Sequence, residues 1–265
     1  MKTPLLILLI MFCTTSCKLD SDVDITLPTQ KKYHIVEAIL KTDKDMSLLL
    51  TQSNRMNDIV MLNFVWYAQA SFIINNDTIP LTNYLIFDKE NNTVINYLSK
   101  TPLPKFTNGD IKLLIIKDKD TITSTSHFIK PISIKSWTVN GVDINVTIPN
   151  IYNSADRFFR IETFTYHSKE KITSRYAQLY NLAKNNEELL NIHMKLGKIK
   201  RDSIKIIVSH ITREHYEYLY SCNRAIDAYF DPFTVPTPIK TNVKGAMGIF
   251  TVVDEKYISL KSTYP

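Results

Sequence analysis

The stretch SIKSWTVNGVDINVTI, residues 133–148, decides the fold class. At its centre stands Asn140-Gly141, the preferred pair for a two-residue type I′ turn, because both residue types tolerate a positive φ. With that turn Val139 faces Val142 and Trp137 faces Ile144. All four then share one face, since side chains alternate along a strand. Residues 133–148 therefore read as a β-hairpin with one apolar side. Lys130-Pro131 just before it reads as a joint, so the hairpin opens a second domain.

Working outward, strand signals dominate. Tyr33 to Leu40, Ser47 to Thr51, Phe64 to Ile74, Ile111 to Lys117 and Thr121 to Ile129 are rich in Ile, Val, Thr, Leu and aromatics. Polar turns such as Asn75-Asn76-Asp77 and Asn108-Gly109 separate them. Downstream, Phe158 to Ser168, Ile204 to Ile211 and Gly248 to Val253 also read as strands. Arg175 to Leu190 has weak helical spacing through Tyr176, Leu179, Tyr180 and Ala183, with an irregular crossover as the alternative. Thr212 reads as a helix N-cap. The helix after it should present Tyr216, Leu219, Asn223 and Ile226, with Tyr220 and Cys222 beside them. Pro232, Pro236 and Pro238 end regular structure. The expectation is a mainly β protein of two β-sandwich-like (immunoglobulin-like) domains, residues 32–131 and 132–265, with a short helix in the second.

The N-terminus carries an address. Lys2 is followed by eight apolar residues, Leu5 to Phe12, which span only about 12 Å as a helix against a bilayer core of about 30 Å. The segment is a signal h-region, not a membrane span. Thr14, Thr15 and Ser16 supply small residues, and Cys17 directly after them fits a lipoprotein signal whose thiol takes a diacylglycerol before cleavage. Cys13 follows the bulky Phe12 and fits less well. Residues 1–16 are thus expected to leave as a signal peptide, with an ordinary secretory cut nearby as the alternative. Residues 17–31 form an acidic tether bearing Asp20, Asp22 and Asp24. Cys222 is then the last thiol of the folded body, so an intramolecular disulfide is ruled out. A small buried hydrophobe is its expected role, with a catalytic thiol as the alternative.

Composition excludes several classes of function. The 265 residues include only five glycines, and no Walker loop, dinucleotide glycine motif, Gly-x-Ser-x-Gly elbow or His-Glu-x-x-His is present. Net charge is +6, and no nucleic-acid motif accompanies it. The lysine-rich segment Met194 to Lys205 reads as a solvated hairpin rim or as a patch for anions or a membrane surface. His210 and His215 are divided by a strand-to-helix switch, so solvent-facing or capping roles are expected and metal ligation is not. Asp43/Asp45 and Glu187/Glu188 read as surface turns. Aromatics crowd the C-terminal region, where Tyr216, Tyr220, Tyr229 and Phe233 are candidate interface residues, core packing being the alternative. No catalytic, cofactor-binding or metal residue is assigned.

The order of these motifs resembles a family of bacteroidete outer-membrane lipoproteins catalogued as domain of unknown function 4249. The likeness starts at Cys17, the acidic tether and Leu27-Pro28, and continues through YHIVEAIL (Tyr33 to Leu40), Leu48 to Ser53 and the joint at Phe128 to Ile134. Its most specific part is ITREHYEYL (Ile211 to Leu219), Asp231 to Phe233, Pro236, Pro238-Ile239, Asn242 and GAMGIF (Gly245 to Phe250). The family usually has a glycine where Ala246 stands, so that turn is expected to differ slightly. The resemblance implies a β-rich surface lipoprotein, often encoded beside a TonB-dependent outer-membrane transporter, and transfers only Cys17 as a functional position.

The functional expectation is a lipid-anchored binding or accessory component at the outer membrane, facing the cell exterior or the periplasm. Its partners would be the membrane itself, through the acyl group on Cys17, a TonB-dependent transporter and a ligand not identified by sequence. No further cofactor and no nucleic acid are expected. A structural or adhesive surface protein is the alternative, and a hydrolase with dispersed residues a third reading. Cys17→Ala should leave the chain unprocessed by the lipoprotein peptidase and move it to the soluble fraction; unchanged membrane retention would contradict the anchor.

Overall fold

Period-two burial organises the chain into strands from its first described residues. β1 (His34–Lys41) buries Val36, Ala38 and Leu40 on one face and leaves Glu37 and Ile39 half-buried on the other. The computed structural model describes residues 31–55, 59, 61–88, 93–105, 109–167, 172–197, 202–231, 233–235 and 237–261. Cys17, Asn108, Lys198, Lys200, Arg201, Pro232 and Pro236 lie outside them. Up to the joint at Lys130 the chain runs through β2 (Asp45–Gln52), β3 (Asn63–Phe64), β4 (Gln69–Ile74), β5 (Asp77–Pro80), β6 (Thr82–Asp88), β7 (Thr93–Pro102), β8 (Asp110–Lys117) and β9 (Asp120–His127). Beyond it come β10 (Ser136–Asn140), β11 (Asp143–Pro149), β12 (Phe158–His167), β13 (Ile172–Asn181), β14 (Leu189–Lys195) and β15 (Ser203–Ile211). Helix α1 (Arg213–Phe230), β16 (Val243–Lys244) and β17 (Met247–Lys261) complete the order. The fold is mainly β and sandwich-like, with one α-helix among the described residues.

A nine-stranded sheet runs in the order β13-β12-β15-β17-β1-β2-β7-β6, with β3 added on β2. One face of it is covered by two smaller sheets. The five-stranded sheet β16-β9-β8-β4-β5 closes a first core around Val36, Leu48, Phe72, Tyr97, Leu113 and Phe250. The three-stranded sheet β10-β11-β14 closes a second core around Ile144, Val146, Phe159, Ile192, Ile206 and Val208. Each large apolar side chain buried in this way contributes about 1.5–3 kcal/mol. Phe72 and Phe250 stack across the first core, with centroids 5.6 Å apart.

One strand serves both cores. β17 pairs in parallel with β1 from Ile35↔Met247 to Lys41↔Val253, then antiparallel with β15 from Ile211↔Val253 to Ser203↔Lys261. Its fifteen residues extend for about 50 Å. Phe250 and Val252 enter the first core and Ile258 the second. Asp254 lies between them at the seam. Its carboxylate accepts the Ile132 N–H at 2.7 Å and the Thr42 hydroxyl at 3.2 Å. His210 is its cross-strand partner, and meets the Lys130 carbonyl through Nδ1 at 2.7 Å and the Asp156 carbonyl through Nε2 at 2.6 Å. A neutral imidazole carries one N–H and can donate to only one of them. Burial opposes the doubly protonated form and lowers the pKa of His210, against the pull of these carbonyls and of Asp156 and Asp254. The Tyr152 hydroxyl completes the clamp, donating to the Pro131 carbonyl and accepting the Ser133 N–H.

Several local expectations change. The hairpin of residues 133–148 forms, but Asn140 pairs with Asp143 and Val139 with Ile144, so the turn residues are Gly141 and Val142. Gly141 alone has a positive φ, 58°, which fits a type II′ turn with glycine at its first central position. The Leu196 N–H donates to the Val142 carbonyl and holds this register. Phe64 to Ile74 is broken between β3 and β4, where Tyr67 has φ 57°. Arg175 to Leu190 is neither helix nor irregular crossover at its start, because residues up to Asn181 belong to β13. Tyr176 and Tyr180 face the second core while Leu179 packs on the other side, so apolar residues on both faces of an edge strand imitate helical spacing. In α1, Asn223 and Ile226 are exposed, and His215 and Ser221 are the buried residues. The helix lies against a mixed sheet face, apolar at Phe158, Ile211 and Val253 and polar at Glu37, so hydrophobicity alone does not mark its contact stripe.

At Gly248 the backbone of β17 presses directly on β1. The φ of Gly248 is +118°, and a Cβ there would stand 1.9 Å from the Val36 carbonyl oxygen. Ala246 is accommodated because the positive φ angles fall on Gly245 and Gly248, and its side chain packs against the first core. Gly248→Ala should destabilise the protein by about 3 kcal/mol or more, read as a lowered midpoint in urea unfolding.

Candidate interaction surfaces

The helix start is built as its sequence dictates. The Thr212 side chain accepts the His215 N–H at 3.2 Å, satisfying one of the unpaired donors of the first turn. Both histidines of HITREH are buried, which corrects the solvent-facing expectation. His210 belongs to the seam. His215 sits under the helix with both ring nitrogens lacking a hydrogen-bond partner. Burial and the nearby Arg160 guanidinium hold its pKa down at about 3, so the ring is neutral at physiological pH.

Two turns along the helix, Cys222 is half-buried. Burial raises its thiol pKa, the Tyr218 hydroxyl lowers it through a hydrogen bond, and Glu37 raises it. Glu37 is itself pushed up by burial. A nucleophilic cysteine needs the opposite environment, one that favours thiolate. Nearby, Glu162 pairs with both Arg160 and Arg175. Among the described residues no group of three or more His, Cys, Asp or Glu is arranged to hold a metal ion. Asp43, Asp45, Glu187 and Glu188 are all exposed; Asp43, Glu187 and Glu188 lie in turns or bends as expected, whereas Asp45 opens β2.

The four candidate interface residues separate. Tyr216 is half-buried against Phe158, with centroids 5.1 Å apart, and stacks on Tyr220 at 6.2 Å. Tyr220 is exposed on its outer side. Tyr229 and Phe233 are 83% and 93% exposed, and Phe230 beside them 77%. Met61 and Leu62, which the strand reading passed over, are also exposed. Their run MLN continues into β3 without the alternation that would have marked a buried face.

A second surface was not visible in the sequence. An open groove of about 750 Å³ lies between residues 132–137 and Lys256, Tyr257 and Ile258 of β17. It follows from the seam. β1 stops pairing with β17 at Lys41↔Val253, so beyond Val253 that edge of β17 takes no strand among the described residues. Trp137, Lys135 and Lys256 line the groove.

These features define a β protein of two cores threaded by one strand, with exposed apolar and edge surfaces. The chain matches the profile of the family described as Domain of unknown function (DUF4249) over residues 20–259 and belongs to that family. No curated protein matches it.

The unpartnered imidazole gives a test of the region under α1. In the unfolded chain a histidine titrates near 6.5, whereas folded His215 stays neutral down to about 3. Stability tied to this group is full above about pH 6.5 and falls as pH drops toward 3, because only the unfolded state takes up the proton. His215→Leu should flatten that part of the profile and stabilise the protein by about 1–2 kcal/mol, measured as Tm against pH.

Proposed function

We propose that this protein is a lipid-anchored outer-membrane component that binds a partner, a TonB-dependent transporter, as an accessory lipoprotein. The anchor rests on Cys17 and the signal before it. The observation that carries the binding role is the groove of about 750 Å³ beside the open edge of β17. A sheet edge offers a row of backbone donors and acceptors, and an extended segment of a partner can add to it as a further strand. Lys135 and Lys256 at the groove favour an acidic segment. Trp137, 40% exposed on β10, supplies apolar contact area beside that edge.

A mild-detergent pull-down of the tagged protein from its native outer membrane, followed by mass spectrometry, tests this reading. The expected result is a transporter in stoichiometric yield, and a drop of about fivefold or more for Lys135→Glu/Lys256→Glu. Recovery of the lipoprotein alone, or a yield unchanged by charge reversal, would overturn the role or the groove respectively.

A further inference from the structure

The exposed aromatics at the end of α1 have a defined place in the fold. Tyr216 packs on Phe158, in the cluster that holds Val253. Six residues later, Cys222 is close enough to Glu37 for that carboxylate to raise its pKa, and Glu37 pairs with Ile249. The helix therefore travels back along β17 toward Met247 and the start of β1. Eight more residues, about 12 Å of helix, carry Phe230 to the end of the sheet where Tyr33 leads into β1. Tyr229 and Phe230 meet edge to face at 5.1 Å. Phe233 is fixed just beyond, its N–H donating to Asp231.

Met61 lies at that same end. Its carbonyl accepts from Asn54, and the adjacent Ser53 N–H donates to the Tyr33 carbonyl. Lys240 and Lys244 are exposed in the segment that returns from the helix to β17. Of the acidic groups here, Asp120 faces His34 at 3.4 Å and Asp231 holds the Phe233 N–H and the Thr234 hydroxyl, while Asp227 on the last turn of α1 is exposed.

We infer that the tip formed by Tyr229, Phe230 and Phe233 docks into a lipid bilayer surface, beside the acyl anchor. The inference rests on the lipid-anchor part of the proposed function. The described chain enters β1 through Tyr33 at this end, and the fourteen residues 18–31 that separate the fold from Cys17 can span at most about 50 Å. The bilayer that holds the anchor is thus within reach of the tip. Aromatic rings suit the boundary between headgroups and acyl chains, and lysines suit anionic headgroups. A second contact of this kind adds to the hold of an acyl anchor.

The test uses the full chain as Cys17→Ala, which removes the acyl group and isolates the tip. Phe233→Trp in that background reports its surroundings by fluorescence, with the Cys17→Ala parent as the baseline for Trp66 and Trp137. With vesicles of phosphatidylethanolamine and phosphatidylglycerol, the added tryptophan should shift to the blue and be quenched by brominated lipid. Phe230→Ser/Phe233→Ser should lower vesicle partitioning by about tenfold or more, while circular dichroism and Tm stay unchanged. Water-like emission together with unaltered partitioning would overturn the inference. So would vesicle binding that is absent while the serine variant loses a co-purifying protein, which would make the tip a protein contact. Loss of acylation on the native protein would instead fault the anchor, and is read separately by its mass.

Discussion

The parallel pairing of β1 with β17 is the constraint on which the rest depends. The first and last strands of the described fold lie side by side, so the intervening strands extend the sheet outward from that pair or cover its face. The pairing is possible because Gly248 lets the backbone of β17 press against Val36, where no side chain has room. From that contact β17 runs on beside β15, carrying Phe250 into one core and Ile258 into the other. Asp254 and His210 then fix the peptide at Lys130 to Ile132 as it crosses between the cores. A half-buried carboxylate and a buried imidazole at a seam are costly unless their partners are in place, so the seam favours one arrangement of the linker.

Both proposed contacts follow from this layout. Because β1 ends at Lys41 while β17 continues to Lys261, an open edge is left at the second core. Because α1 runs back along β17, its apolar end reaches the other end of the strand, where the chain leads in from residue 31. One surface offers backbone hydrogen bonds to a partner strand, and the other offers aromatic rings to lipid. The two surfaces therefore ask for different chemistry.

Much of the fold class was legible, because period-two burial in β1, β4 and β8 requires only local alternation. The Asn-Gly signal located the hairpin and its apolar face, but the turn slid by one residue because Val142 is tied to Leu196. The motif GAMGIF stood out in sequence, yet its cause is a contact with Val36, at the opposite end of the described chain. The full length of β17 was hidden by Asp254, Glu255 and Lys256, charged residues that look like the end of a strand and in fact sit at the seam. Candidate surfaces were legible only in part. The aromatic series was evident, but which rings are exposed depends on a helix contact made by His215 and Ser221. The groove depends on where β1 stops, which no local pattern encodes.

The central claim is that β17 and its seam make the two cores unfold together. Each core region has its own reporter, Trp66 beside Phe64 near the first and Trp137 on β10 of the second. The direct measurement is equilibrium urea unfolding of the single-tryptophan variants Trp66→Phe and Trp137→Phe. Coincident midpoints and slopes in the two variants are the expected result. Two well-separated transitions, one for each tryptophan, would contradict it and make the cores independent units.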